Sequence, residues 1–113
     1  MRFMVASETE LEEVNFELHD RWIDADAIQQ LGQEVHIPIT QAPMTMPRAR
    51  HFICKLIVSP VVSFTIEDTQ KIGYYDVHSV VINSTDKRLE IRFNIPLGLK
   101  FRLGALPAVL DVV

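Results

Sequence analysis

The stretch "DVHSVVINSTDKRLEIRFNI", Asp76 to Ile95, decides the fold class. Its first arm is rich in β-branched residues. Ser84-Thr85-Asp86-Lys87 is a polar turn, and Leu89, Ile91, Phe93 and Ile95 then alternate with Arg88, Glu90, Arg92 and Asn94. Alternation with a period of two is the pattern of a half-buried strand, so this stretch predicts a β-hairpin. An offset of 54 residues aligns Ile28, Val35, Ile37 and Ile39 with Ile82, Leu89, Ile91 and Phe93. The match favours an earlier hairpin turning at Leu31-Gly32-Gln33. For residues 22–31 the rival reading is a helix capped by Asp20 and closed by Gly32.

Working outward, "HFICKLIV" and "VVSFTIE" read as strands parted by Ser59-Pro60, where proline marks a turn or an edge bulge. Beyond Pro96, Leu99, Phe101 and Leu103 alternate with Lys100 and Arg102. The apolar tail, residues 105–113, reads as a final edge segment or a contact with a second subunit. "TQAPMTMPRAR" (Thr40–Arg50) and "EDTQKIGYYD" (Glu67–Asp76) read as loops. Near the N-terminus, Ser7-x-x-Glu10 resembles a capping box, a sign of one or two helical turns. Val14, Phe16 and Leu18 then alternate as in a strand that ends at His19-Asp20. With about seven or eight short strands separated by frequent turn signals, the expectation is a mainly β, antiparallel sandwich, roll or partly open barrel in one domain, residues 1–113. One short helix belongs near the N-terminus or at 22–31.

The bulk numbers exclude several classes. Apolar residues make up 48% and charged residues 23% of the 113, as in ordinary globular proteins. No apolar run is long enough for a membrane helix, and "MRFMVASETE" lacks the apolar core of a signal peptide. The single Cys54 cannot form an internal disulfide. A cytoplasmic location without membrane attachment is therefore expected. Residues 1–34 carry nine acids against two bases, and residues 35–113 carry six acids against nine bases. The plain reading of this imbalance is pairing of the acidic half with the basic half, within the domain or across a dimer.

Candidate chemistry is sparse. His19-Asp20 could begin a metal or acid/base site, yet no second ligand stands at a metal-binding spacing. It reads as a strand end and turn. His51 and Cys54, three apart on a strand, would point to opposite faces. Asn83-Ser84-Thr85 matches a glycosylation acceptor but reads as the hairpin turn. Four scattered glycines form no phosphate-binding loop. No catalytic residues, metal ligands or cofactor are expected. Contact candidates are His19, Asp20, Trp22, Met44, Met46, Tyr74 and Tyr75. To these the basic set Arg88, Arg92, Lys100 and Arg102 adds one polar sheet face. Phe93 and Phe101 fall on the opposite face, so the interleaved aromatics of a nucleic-acid platform are missing and nucleic acid is disfavoured.

The pattern "FELHD…I…G…VHIPI", Phe16 to Ile39, resembles small bacterial β-rich proteins in which an aromatic-containing strand ends in His-Asp before an apolar hairpin. Some are immunity-type proteins that neutralise a toxin. The resemblance implies a binding or neutralising role and marks His19 and Asp20 as a strand-end signature. The expected function is a non-enzymatic interaction protein with a protein partner, bound through one sheet face and the loops at 40–50 and 67–76. Two alternatives stand beside it. One is a small-molecule or metal-binding domain around His19, Asp20 and a histidine from another strand, His36 or His78. The other is a structural homodimer joined through residues 105–113.

Overall fold

The computed structural model describes residues 1–40, 52–68, 71–94 and 97–113. The hairpin at its centre is β7 (Tyr74–Asn83) and β8 (Arg88–Phe93). Asn83 closes the turn: its Oδ1 accepts from the Asp86 N–H at 3.1 Å, and its Nδ2 donates to the Asp86 carboxylate at 3.2 Å. Lys87 leaves the turn with φ +54°. β8 alternates as its sequence predicts, with Leu89 and Ile91 buried. β7 does not alternate strictly. A bulge between Val77 and Ser79 lets two residues face one, so Val77, Val80 and Ile82 all reach the core. Without the extra residue, Ser79 and Val81 would follow Val77 inward.

The other strands are β1 (Arg2–Val5), β2 (Trp22–Asp24), β3 (Gln29–Leu31), β4 (Glu34–Thr40), β5 (Phe52–Ser59), β6 (Val61–Glu67), β9 (Gly98–Leu103) and β10 (Ala108–Val112). They form one sheet of ten strands in the order β1-β10-β5-β4-β2-β7-β8-β9-β6, with β3 beside β4. Every pairing is antiparallel. Ten strands stand where seven or eight were expected: β1 is added, and the first arm of the earlier hairpin is two strands of three residues each, β2 and β3. The β3–β4 hairpin turns at Gly32-Gln33, where Gly32 has φ +64°. Residues 22–31 are thus two short strands around a 3-10 turn at Ala25–Ala27, not a helix.

The sheet is bent and stays open. β5 pairs with β10 and β4, whereas β6, directly after Pro60, pairs with β9. The opposing run does the same: β9 and β10 part at Gly104–Pro107. Pro60 has no N–H to give, so it suits the corner where the chain changes neighbours. Its carbonyl accepts from the Gly104 N–H at 2.9 Å. The tail is not an edge: β10 lies between β1 and β5, and Ala108 and Leu110 are fully buried. Its backbone edges are satisfied within the chain, so a dimer through 105–113 would not form by strand pairing there.

The N-terminal reading needs a larger correction. Leu11–Leu18 is a helix, α1, and not a strand ending in His19-Asp20. The capping box at Ser7 and Glu10 is present, and Glu10 Oε1 accepts from the Ala6 and Ser7 N–H groups at 2.9 and 3.2 Å. Leu11, Val14 and Leu18 are buried, which is the spacing of one helical face. Burying each stabilises by roughly 1.5–3 kcal/mol. Phe16 points away and is 87% exposed. His19 caps the helix, its N–H donating to the Asn15 carbonyl at 2.9 Å, and Asp20 turns the chain with φ +65°. Helix and strands share one core, from Val5 through Tyr75 and Phe101 to Leu110.

Candidate functional site

The outward face of β7, β8, β9 and β6 carries the basic residues. Register sets their rows. Arg88 lies opposite Arg102, which lies opposite Ser63. Glu90 lies opposite Lys100, which lies opposite Thr65. Arg92 lies opposite Gly98. Leu89, Ile91, Leu99 and Phe101 are buried, so these polar neighbours must face out. A cavity of about 710 Å³ lies over this face, lined by Glu8, Ser63, Thr65, Arg88, Lys100 and Arg102 among others. The four basic side chains predicted to share a face do share it, on neighbouring strands.

Charge balance on the face is uneven. Arg92 Nε stands 3.5 Å from Glu90 Oε1, and Lys100 Nζ stands 4.0 Å from Glu67 Oε1. Such exposed pairs contribute little. Arg88 and Arg102 have no carboxylate partner among the described residues. Like charges directly opposite on a sheet destabilise it, on a scale of roughly 0.2–1 kcal/mol. Here an anion would relieve the repulsion. A carboxylate can meet a guanidinium with two parallel hydrogen bonds, and small Ser63 and Thr65 leave Arg102 and Lys100 open from the sheet edge.

The histidines converge only in part. The rings of His19 and His78 lie 6.4 Å apart at 62°, and His19 Nδ1 is 3.1 Å from Asp20 Oδ2. His36 is elsewhere, on β4, with its Nε2 3.0 Å from Glu34 Oε1. Among the described residues no group of three or more His, Cys, Asp or Glu side chains is placed to hold a metal ion.

Tyr74 and Tyr75 are a correction: expected as loop contacts, both are buried at the start of β7. The Tyr75 hydroxyl donates to Asp68 Oδ1 and accepts from the Ile72 N–H at 3.1 Å. Its ring meets Phe93 edge-on, with centroids 6.1 Å apart. Burial, then the bond to Asp68, pushes its phenol above the ordinary value of 10.0. Tyr75 therefore ties Asp68 to Ile72 from inside the fold instead of offering a contact. Trp22 is half-buried on β2, paired with Thr40 and Asp76. Cys54 is half-buried on β5. Met44, Met46 and His51 lie outside the described residues.

Within the chain, the described residues show no ion pairing between the acidic N-terminal and the basic C-terminal segment. Among the described residues the Arg and Lys ion pairs are Arg2–Asp111, Arg21–Glu17, Arg92–Glu90 and Lys100–Glu67. None joins an acid of 1–34 to a base of 35–113. Sequence reasoning missed Ser63, Thr65, Glu67 and Glu8 as neighbours of the basic face. Only the polar positions of "VVSFTIE" hinted at the first three, and nothing indicated which strand they would join. No helix among the described residues is long and apolar enough to cross a membrane. The chain matches no family model, no curated protein and no solved structure.

Proposed function

We propose that this is a non-enzymatic binding protein that docks an acidic protein partner on the outward face of β7, β8, β9 and β6. The observation that carries the reading is the Arg88–Arg102 cross-strand pair without a carboxylate. A protein partner fits better than a nucleic acid. Phe101 is buried and cannot stack a base, and Glu90 and Glu67 interrupt the basic surface that a continuous phosphate backbone would follow. The lone Cys54 supports a reducing compartment, the cytoplasm.

The immunity-type resemblance supports a toxin as the partner. Its support now rests on the β3–β4 hairpin, since the His19-Asp20 part is a helix end. The metal-binding alternative has His19, Asp20 and His78 near one another but no ligand set around them among the described residues.

The test is titration of poly-L-glutamate into the wild-type protein and into an Arg88→Glu/Arg102→Glu variant, with random-sequence duplex DNA as comparison. Binding to polyglutamate that is lost in the variant and weakened by salt is the expected result. Equal binding by both proteins, or tighter binding to DNA, would overturn the reading.

A further inference from the structure

The basic face ends at an open sheet edge. β6 pairs with β9 on one side and with no strand on the other among the described residues. The direction of its free groups follows from the ladder. The Leu103 N–H donates to the Lys87 carbonyl at 2.8 Å, on the β8 side. Alternation along β9 then turns Phe101 and Leu99 toward β8, and Arg102, Lys100 and Gly98 toward β6. Phe64 and Ile66 lie opposite Phe101 and Leu99. Their N–H and C=O groups therefore point outward, away from β9. At one end this edge is closed: the Val61 N–H donates to the Gln33 carbonyl at 2.8 Å, and Gln30 Nε2 donates to the Val61 and Val62 carbonyls at 3.3 Å. The span 63–67 beyond it has no such cover among the described residues.

Along 63–67 this edge has little of the usual protection against pairing, since the bulge of β6 lies between Val61 and Ser63, at the closed end. "VVSFTIE" has no proline or lysine, and its only charge is terminal Glu67. The opposite edge, β1, is short and carries Arg2, paired with Asp111 at 3.3 Å. On the core side of β6, Phe64 is half-buried and Ile66 is 38% exposed. The apolar layer thus runs out to the edge with no last strand over it among the described residues.

We infer that the partner binds by strand addition to β6, as an extended segment of alternating acidic and apolar residues. The inference rests on the acidic-partner reading and gives it a geometry. Residues opposite Phe64 and Ile66 would take both backbone hydrogen bonds and turn apolar side chains over the exposed core margin. Residues opposite Ser63 and Thr65 fall on the basic face. They would stand about 10 Å, two strand spacings, from Arg102 and Lys100, within joint reach of a Glu and an Arg or Lys side chain. The residue opposite Glu67 should be basic or neutral. A second copy of this chain fits less well: paired antiparallel about Thr65, it would set one acid, its Glu67, opposite Ser63, whereas the alternating segment sets acids opposite both Ser63 and Thr65.

The probe is an acetylated peptide with the core Lys-Val-Glu-Val-Glu, measured by calorimetry. Its counterparts are the same peptide N-methylated at both valines and a scrambled one with its glutamates adjacent. The wild type is compared with Ile66→Pro, which removes an outward N–H without taking a bond from β9. Expected are at least tenfold weaker binding of the N-methylated and scrambled peptides, and at least tenfold weaker binding of the parent peptide to Ile66→Pro. Polyglutamate binding by Ile66→Pro should be unchanged. Equal affinity for parent and N-methylated peptides would overturn strand addition and leave the acidic-partner reading standing, and that comparison needs no variant. A wild type that ignores polyglutamate would overturn the reading itself. A wild-type dimer that Ile66→Pro dissociates would assign the edge to self-pairing and overturn the inference.

Discussion

The Asn15 carboxamide takes both backbone groups of Val80: its Oδ1 accepts from the Val80 N–H at 2.6 Å, and its Nδ2 donates to the Val80 carbonyl at 3.3 Å. β2 covers the edge of β7 only from Tyr74 to Asp76. One side chain of α1 thus replaces a strand residue where the ladder has ended. Replacing Asn15 by Ala should cost about 1–3 kcal/mol, because the part-buried Val80 groups lose their partner. A fall in Tm with faster hydrogen exchange at the Val80 amide is the expected outcome. An unchanged Val80 exchange rate would contradict the role.

Arg88 and Arg102 repel across β8 and β9, so Arg88→Ala should leave stability unchanged or raise it by a few tenths of a kcal/mol. Binding of acidic ligands should fall. Denaturant midpoints for the wild type and variant check the first part, and a clear loss of stability would show that Arg88 is held by contacts of its own.

Tyr75 makes stability depend on alkaline pH. Its folded-state phenol is pushed above 10.0, whereas the unfolded chain ionises at about 10. Below pH ~10 both states are neutral and the contribution is complete. As pH rises past 10 the unfolded state loses its proton first, so stability falls until the folded phenol also ionises. The stability difference between wild type and Tyr75→Phe should shrink over this window. A difference independent of pH between about 9 and 12 would refute the assignment.

Gly73 has φ +91°, and a Cβ there would stand 3.0 Å from Asp26 Oδ2. Gly32 has φ +64° and nothing within 4 Å. Gly32→Ala should cost about 1 kcal/mol for its backbone conformation alone. Gly73→Ala should cost more, and adding Asp26→Ala should recover only the steric part. Thermal melts of the two single variants and the double variant check this order.

Phe16, exposed on the outer face of α1, should tolerate Phe16→Ser within about 0.5 kcal/mol. Were it a core residue on a strand, truncation would cost about 3–5 kcal/mol. Tm distinguishes the two outcomes.

Local patterning in the sequence was enough to make the chain β-rich and antiparallel. It marked the hairpin turns at Gly32 and at Ser84–Lys87, the break at Pro60, and the shared polar side of Arg88, Arg92, Lys100 and Arg102. Each follows from a local cause: alternation, turn chemistry, or a missing N–H. It misassigned residues 14–18 because Val14 and Leu18, four apart, share a face in a helix and in a strand alike. Leu11 breaks the tie, since its spacing of three from Val14 suits only the helix, but its burial becomes visible only when β7 lies beneath it. The bulge that keeps Val77, Val80 and Ile82 inward is likewise a product of pairing with β8. The placing of Arg88 opposite Arg102, and the side of β6 left unpaired among the described residues, come from the tertiary arrangement. Both depend on which strands become neighbours and in what register, and period-two alternation is blind to that.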